Sequence, residues 1–193
     1  MAPRVSDLGR TVLLAGCLAC AVPLAGAAPA WSARIAGVTL PPTETVGGAQ
    51  LQLVGCSARE KLWMDLYAVS LYLPREMASV ARMTDDGVPK LVRLDVTYDG
   101  KVPDGLPSEW KQRLREHVSQ EFLQTLETHY NTLRGGDTVR ISYTPGGGTT
   151  LSVNGRTVAT RPGGELMNAM LKLWVGPDPV SQDIKSQLLQ GSC

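Results

Sequence analysis

The stretch Leu51–Pro74, LQLVGCSAREKLWMDLYAVSLYLP, constrains this chain more than any other. Two apolar, β-prone runs flank a polar break at Ser57 to Lys61. In the second run, Leu62, Met64, Leu66, Ala68, Ser70 and Tyr72 share one parity. Trp63, Asp65, Tyr67, Val69 and Leu71 share the other. A strand dressed on both sides is covered twice or lines a cavity. The break carries Arg59, and a guanidinium beside a core needs an anion or a dense set of acceptors.

The chain before this stretch reads differently. Arg4 and Arg10 precede the apolar run Thr11 to Leu24, and Ala25-Gly26-Ala27 follows as a cleavage candidate. This order predicts a secretory signal peptide over 1–27 and one domain over 28–193, periplasmic or secreted. The run is too short, and too broken by Pro23, for a stable transmembrane segment in the mature form. The alternative is Leu14-Ala15-Gly16-Cys17 as a lipoprotein box, anchoring the protein through Cys17.

Cleavage removes Arg4, Asp7 and Arg10. That leaves 19 − 2 = 17 basic and 18 − 1 = 17 acidic residues, a formal charge of zero. Nucleic acid is excluded as a partner on this ground, since its binders carry a basic footprint. Cys56 and Cys193 remain. An oxidising compartment permits them to pair. Their positions favour two free thiols instead, one small and buried, the other at a frayed end.

The remaining pattern gives the element order. Arg34 to Leu40 is a short strand candidate, and Arg75 to Met83 a short helix candidate. Leu91 to Tyr98 alternates, with Val92, Leu94, Val96 and Tyr98 on one face. Ser108 to Tyr130 is predicted as one long helix, capped by Ser108 and striped by Trp110, Leu114, Val118, Phe122 and Leu126. Asp137 to Thr144 is a strand. Asn154-Gly155 signals a hairpin between Thr150 to Val153 and Arg156 to Ala159. Gly164 to Trp174 is a helix. A last helix is expected with Asp178 as cap and Pro179 at its first position. Strands do not alternate singly with helices, so the class is α+β, a large antiparallel sheet with a layer of helices on one face.

Few residues are placed for chemistry. His117 and His129 lie twelve residues apart in the long helix, with no ligand or nucleophile spaced around them. They read as surface or rim residues, and no metal or cofactor is expected. Gly146-Gly147-Gly148 lacks the lysine and the helix start of a phosphate loop, and reads as a hairpin. Arg59, Lys61, Tyr67, Tyr72 and Tyr98 remain.

These residues sit in a pattern that resembles the bacterial chalcone isomerase-like family. Its parts are Gly37-Val-Thr-Leu-Pro, Leu51-x-Leu-x-Gly-Cys-Ser-Ala-Arg59-x-Lys61 and Leu66-Tyr67-Ala-x-Ser-Leu-Tyr72-Leu-Pro74. Later come Gly136-Asp137-x-Val-x-Ile-x-Tyr143-x-Pro145-Gly, Val153-Asn154-Gly155 and Leu173-Trp174-Val-Gly-x-x-Pro179. The resemblance covers the mature chain and implies an open-faced β-sandwich with a cleft between sheet and helices. Plant members cyclise chalcones, and plastid members bind fatty acids. An arginine that stabilises enolate charge in the enzymes corresponds to Arg59. A threonine that polarises the substrate carbonyl corresponds to Tyr67, which matches the Arg-plus-Tyr pairing of the fatty-acid binders. Gly55-Cys56-Ser57 departs from the usual Gly-Ala-Gly.

On a straight strand Arg59 and Tyr67 would lie about 26 Å apart at ~3.3 Å per residue. They converge only if the chain turns near Glu60 to Leu62. A three-residue connection would put Arg59, Trp63, Asp65 and Tyr67 on one face, Arg59 and Tyr67 roughly 13 Å apart, with Asp65 able to neutralise Arg59. The expected function is binding of a fatty acid or other small amphipathic carboxylate, through Arg59, Tyr67, Tyr72 and Tyr98. The alternatives are an intramolecular lyase with Arg59 and Tyr67 as catalytic groups, and an accessory domain without a ligand.

Overall fold

The computed structural model describes residues 32–75, 83–191 and 193. The segment expected to be a signal peptide and most of the helix candidate after Pro74 lie outside the described residues. Among the described residues no helix is long and apolar enough to cross a membrane.

A small hairpin comes first, β1 (Ala33–Ile35) and β2 (Val38–Leu40). One strand was expected over this span. Ala36 and Gly37 instead take positive φ, 47° and 78°, and turn the chain back. Seven strands then form one sheet in strict chain order: β3 (Thr43–Val46), β4 (Ala49–Lys61), β5 (Met64–Leu73), β6 (Lys90–Val96), β7 (Thr138–Thr144), β8 (Gly148–Val153) and β9 (Arg156–Arg161). Every neighbouring pair is antiparallel. The helices are α1 (Ser108–Leu114), α2 (Gln120–Tyr130), α3 (Glu165–Val175) and α4 (Gln182–Gln190). This is the expected α+β class.

Alternation in the sequence sets the two faces. Val69 and Leu71 of β5, Val92, Leu94 and Val96 of β6, Val139 and Ile141 of β7 and Leu151 of β8 share one face. They pack against Trp110, Leu126, Met167, Met170, Leu173 and Trp174 of the helices. The other parity carries Ser70, Tyr72, Leu91, Arg93, Asp95 and Arg140. That face is covered by the sheet's own first hairpin. Val46 and Leu51 close on Tyr72 and Leu91 as a second small core.

The curl behind this is visible in the charges. β3 is four places from β7 in the sheet order, yet Glu44 bonds Arg93 of β6 at 3.0 Å and Arg140 of β7 at 2.6 Å. A register shift at Leu53/Gly55 marks the bend in β4.

Three helix starts differ from expectation. The stripe from Ser108 to Tyr130 is broken, because the Ser119 hydroxyl accepts from the Phe122 N–H and starts α2 afresh. Pro107, not Ser108, occupies the N-cap place of α1. α4 is capped by Ser181 rather than Asp178. Asp178 is engaged by Arg113 of α1, whose guanidinium donates to both its carbonyl (2.7 Å) and its carboxylate (2.9 Å).

Cys56 and Cys193 are joined. Cys56 of β4 and Cys193 form a disulfide across 137 positions, with Cα atoms 5.1 Å apart. The expectation of a free buried thiol and a frayed terminus is therefore corrected. The chain end is held because α4 lies against β4. The Ser57 hydroxyl donates to Gln187 at 2.7 Å, and Gly55 lets the Leu188 backbone approach so closely that a Cβ would sit 3.2 Å from its Cα. Gly55, Cys56 and Ser57 thus each hold the C-terminal segment.

Candidate functional site

β4 and β5 meet in a two-residue turn. Leu62 and Trp63 occupy it with φ of 51° and 56°, and Lys61 pairs with Met64. Glu60 pairs with Asp65, a register shift follows, and Arg59 then faces Tyr67 directly. The three-residue connection is corrected to this turn plus a bulge. Opposed Cα atoms in such a ladder are about 5 Å apart, so Arg59 and Tyr67 are much closer than expected. The bulge also takes Asp65 out of step with Tyr67. Asp65 is exposed and lies with Glu60 in a second, polar cleft that Arg59 also borders. Among the described residues the Arg59 side chain forms no ion pair and no hydrogen bond, and the residue is half-buried.

Arg59 and Tyr67 open into a cavity of about 480 Å³ between the sheet and the helices. This is within the usual size of small-molecule sites. Its walls are apolar: Leu94, Val96 and Ile141 on the sheet side, Leu114, Leu126 and Met170 on the helix side. Polar groups enter from Arg59, Lys61, Tyr67, Tyr98, Glu109, His129 and Tyr130. Glu109 is the one carboxylate among the lining residues, against the two cations Arg59 and Lys61.

An aromatic cluster holds the polar end. Trp110 makes edge contacts with Trp174 (centroids 5.5 Å apart), Tyr67 (6.1 Å) and Tyr130 (6.4 Å). Trp174 Nε1 donates to the Tyr67 hydroxyl at 3.1 Å. The hydroxyl accepts there, so its own proton is left to donate elsewhere. Burial pushes the Tyr67 phenol up to about 12, although the Trp174 N–H and then Arg59 pull it down. Burial raises Tyr130 as well, with Glu109 adding to it. Both remain neutral donors at physiological pH.

Three of the expected ligand residues, Arg59, Tyr67 and Tyr98, line this cavity. Tyr72 does not, which corrects its place in the set. It is fully buried on the opposite face, where its hydroxyl donates to the Pro41 carbonyl at 3.0 Å. Strand parity already separates it from Tyr67. His117 is exposed, while His129 reaches the cavity wall. Trp174 and Trp110 enter the sequence reading only as helix residues, and Glu109 falls within the helix expected from Ser108. The signal that finds them is the convergence of two helices on one strand end, which no local pattern contains. Among the described residues no cluster of three His, Cys, Asp or Glu side chains is placed to hold a metal.

The buried phenols make a prediction about alkaline stability. Tyr67 and Tyr72 each rise from 10.0 to about 12 on folding. They ionise more readily in the unfolded chain, so stability is intact below pH 10 and is lost as pH rises from 10 to 12. The loss is on the order of 2–3 kcal/mol per phenol. Urea midpoints measured across that window, with tyrosinate absorbance alongside, should fall steeply. A flat profile would contradict the burial.

Comparison with known proteins adds to this geometry. No curated protein matches the chain in sequence. In structure the chain is similar to a fatty-acid binding protein of Arabidopsis thaliana, with a TM-score of 0.58 and 16% identity. The match covers 80% of this chain and 92% of that one. At this identity the likeness establishes the fold. The sequence profile described as chalcone isomerase-like matches residues 32–190, so the chain belongs to the chalcone isomerase-like family.

Proposed function

We propose that this protein binds a fatty acid or a similar small amphipathic carboxylate, with the carboxylate at Arg59 and the apolar body in the cavity. The carrying observation is an unpaired guanidinium at the polar end of an apolar cavity. An uncompensated cation there is costly, and an incoming carboxylate satisfies it through charge-assisted hydrogen bonds. The free proton of Tyr67 supplies a second donor, directly across the ladder from Arg59. The Arabidopsis neighbour, a fatty-acid binding protein, supports the same class of ligand.

Arg59→Ala is expected to weaken fatty-acid binding about tenfold to a hundredfold, the effect of one charged hydrogen bond of about 1.5–3 kcal/mol. Calorimetric titration of oleate into both proteins checks this. Equal affinities would remove Arg59 from the site. The Cys56–Cys193 disulfide supports a periplasmic or secreted location, because such bonds persist in oxidising compartments.

A second reading is favoured by the same pair of donors. Arg59 and the Tyr67 hydroxyl side by side would stabilise developing enolate charge in an intramolecular lyase. Cyclisation of a 2′-hydroxychalcone above the uncatalysed rate, abolished in Arg59→Ala, would establish it.

A further inference from the structure

We propose that the tip of the β4–β5 hairpin docks on a phospholipid surface, so that the cavity opens at the bilayer from which its ligand enters. The proposal rests on the amphipathic-ligand reading above.

The tip exposes three large apolar side chains in sequence: Leu62 at 65%, Trp63 at 96% and Met64 at 43%. Packing does not explain them, because all three are left exposed. Turn chemistry does not explain them either. Both turn residues hold positive φ, which disfavours leucine and tryptophan and favours Asn-Gly. The β8–β9 hairpin of the same chain has just that solution, Asn154-Gly155 with φ of 50° and 77°. At the β4–β5 tip the chain therefore carries apolar bulk against local backbone preference.

Position and charge give that bulk an occupant. Leu62 and Met64 line the cavity mouth, while Trp63 stands outside it. Lys61 lines the cavity, together with the unpaired Arg59, which also borders the cleft on the other side of the hairpin. Glu60 and Asp65 face the other way, into a cleft shared with Ser57 and Asp183. Within the hairpin, the cavity side of the apolar tip thus carries the cations Lys61 and Arg59, while the cavity's carboxylate, Glu109, comes from α1. Tryptophan between apolar neighbours and basic residues suits the headgroup region, where its ring sits between hydrocarbon and water. Lys61 and Arg59 complement the lipid phosphates. An amphiphile leaving the bilayer beside Leu62 would meet Arg59 first.

The test uses the oxidised chain from Ser32 to Cys193, which contains every strand and helix described above. The probe is vesicles of phosphatidylcholine with phosphatidylglycerol. The wild type is expected to co-sediment with them and to shift its tryptophan emission to the blue. Trp63 reports that shift, since Trp110 and Trp174 are already buried. Trp63→Gly is expected to weaken vesicle partitioning roughly tenfold or more, by loss of one buried aromatic. Its Tm should be unchanged or higher, because glycine adopts positive φ freely. Its affinity for oleate in solution should be unchanged.

Absence of wild-type partitioning, or equal partitioning of Trp63→Gly, would overturn the proposal. So would a dimer-to-monomer change on that substitution, which would make the tip a contact between copies. Failure of the ligand reading is seen separately, as equal oleate affinity of the wild type and Arg59→Ala.

Discussion

Cys193→Ser is expected to lower the unfolding free energy by about 4–5 kcal/mol, the largest loss of any single change considered for this protein. The bond closes a loop spanning 137 positions, and the closure entropy it removes from the unfolded chain grows with loop length. Cys193 is the better partner to change, because it is exposed whereas Cys56 is buried. A serine at Cys56 would add the cost of an unsatisfied hydroxyl. Denaturation in guanidinium chloride, with and without reductant, measures the effect. Reduced wild type and Cys193→Ser should share one midpoint, well below that of oxidised wild type. No part of α4 lines the cavity, so oleate affinity should survive under folding conditions. Identical midpoints for all three samples would show that the bond contributes nothing.

Glu44→Ala should cost about 3 kcal/mol. Glu44 is the hub between two cations from different strands, Arg93 and Arg140. Arg93 also bonds Asp95 in bidentate fashion, at 2.9 and 2.7 Å, and Asp95 accepts from Thr138 at 2.8 Å. The Glu44 side chain is 13% exposed, and the two arginines 17% and 23%. Removing one partner of a desolvated ionic set leaves charge uncompensated, which costs several kcal/mol when burial is complete. Arg93 keeps Asp95, which holds the estimate at the lower end. Arg140 keeps no carboxylate in an ion pair among the described residues. Because Glu44 pins the first hairpin over the sheet, hydrogen exchange in β3 should rise with the fall in midpoint. A loss below about 0.5 kcal/mol, the range of surface pairs, would mean that the apolar contacts of Val46 and Leu51 hold the hairpin alone.

Much of this architecture was legible from alternation. Val92, Leu94 and Val96 of β6 and Val139 and Ile141 of β7 sit where a period of two places them. The Asn154-Gly155 turn is where its residues indicate. The misses have physical causes. The helix from Ser108 keeps its apolar stripe across a real break, because periodicity does not register a capping serine in mid-run. Asp178 has the chemistry of a cap but pairs with Arg113 from a distant helix. The Leu62-Trp63 turn is invisible to turn propensity, since neither residue favours positive φ. One missed bulge then misplaced Asp65 and overstated the separation of Arg59 and Tyr67. The lining of the cavity was legible as far as Arg59, Tyr67 and Tyr98. The support from Trp174 at a separation of 107 was not, because no local pattern encodes such a contact.

The three residues Gly55-Cys56-Ser57 also set an order of events. Strand pairing along the outer side of β4 ends at Gln52. Beyond it the strand is covered by α4 and the residues after it, through contacts separated by 130 and 137 positions. On a growing chain that half of β4 emerges well before α4, its cover. Until α4 is available, the strand presents an unpaired edge, the kind of surface that recruits other chains. Completion of this sheet edge therefore waits on a helix from the far end of the fold. A chain truncated before α4 is expected to expose that edge and to self-associate through it.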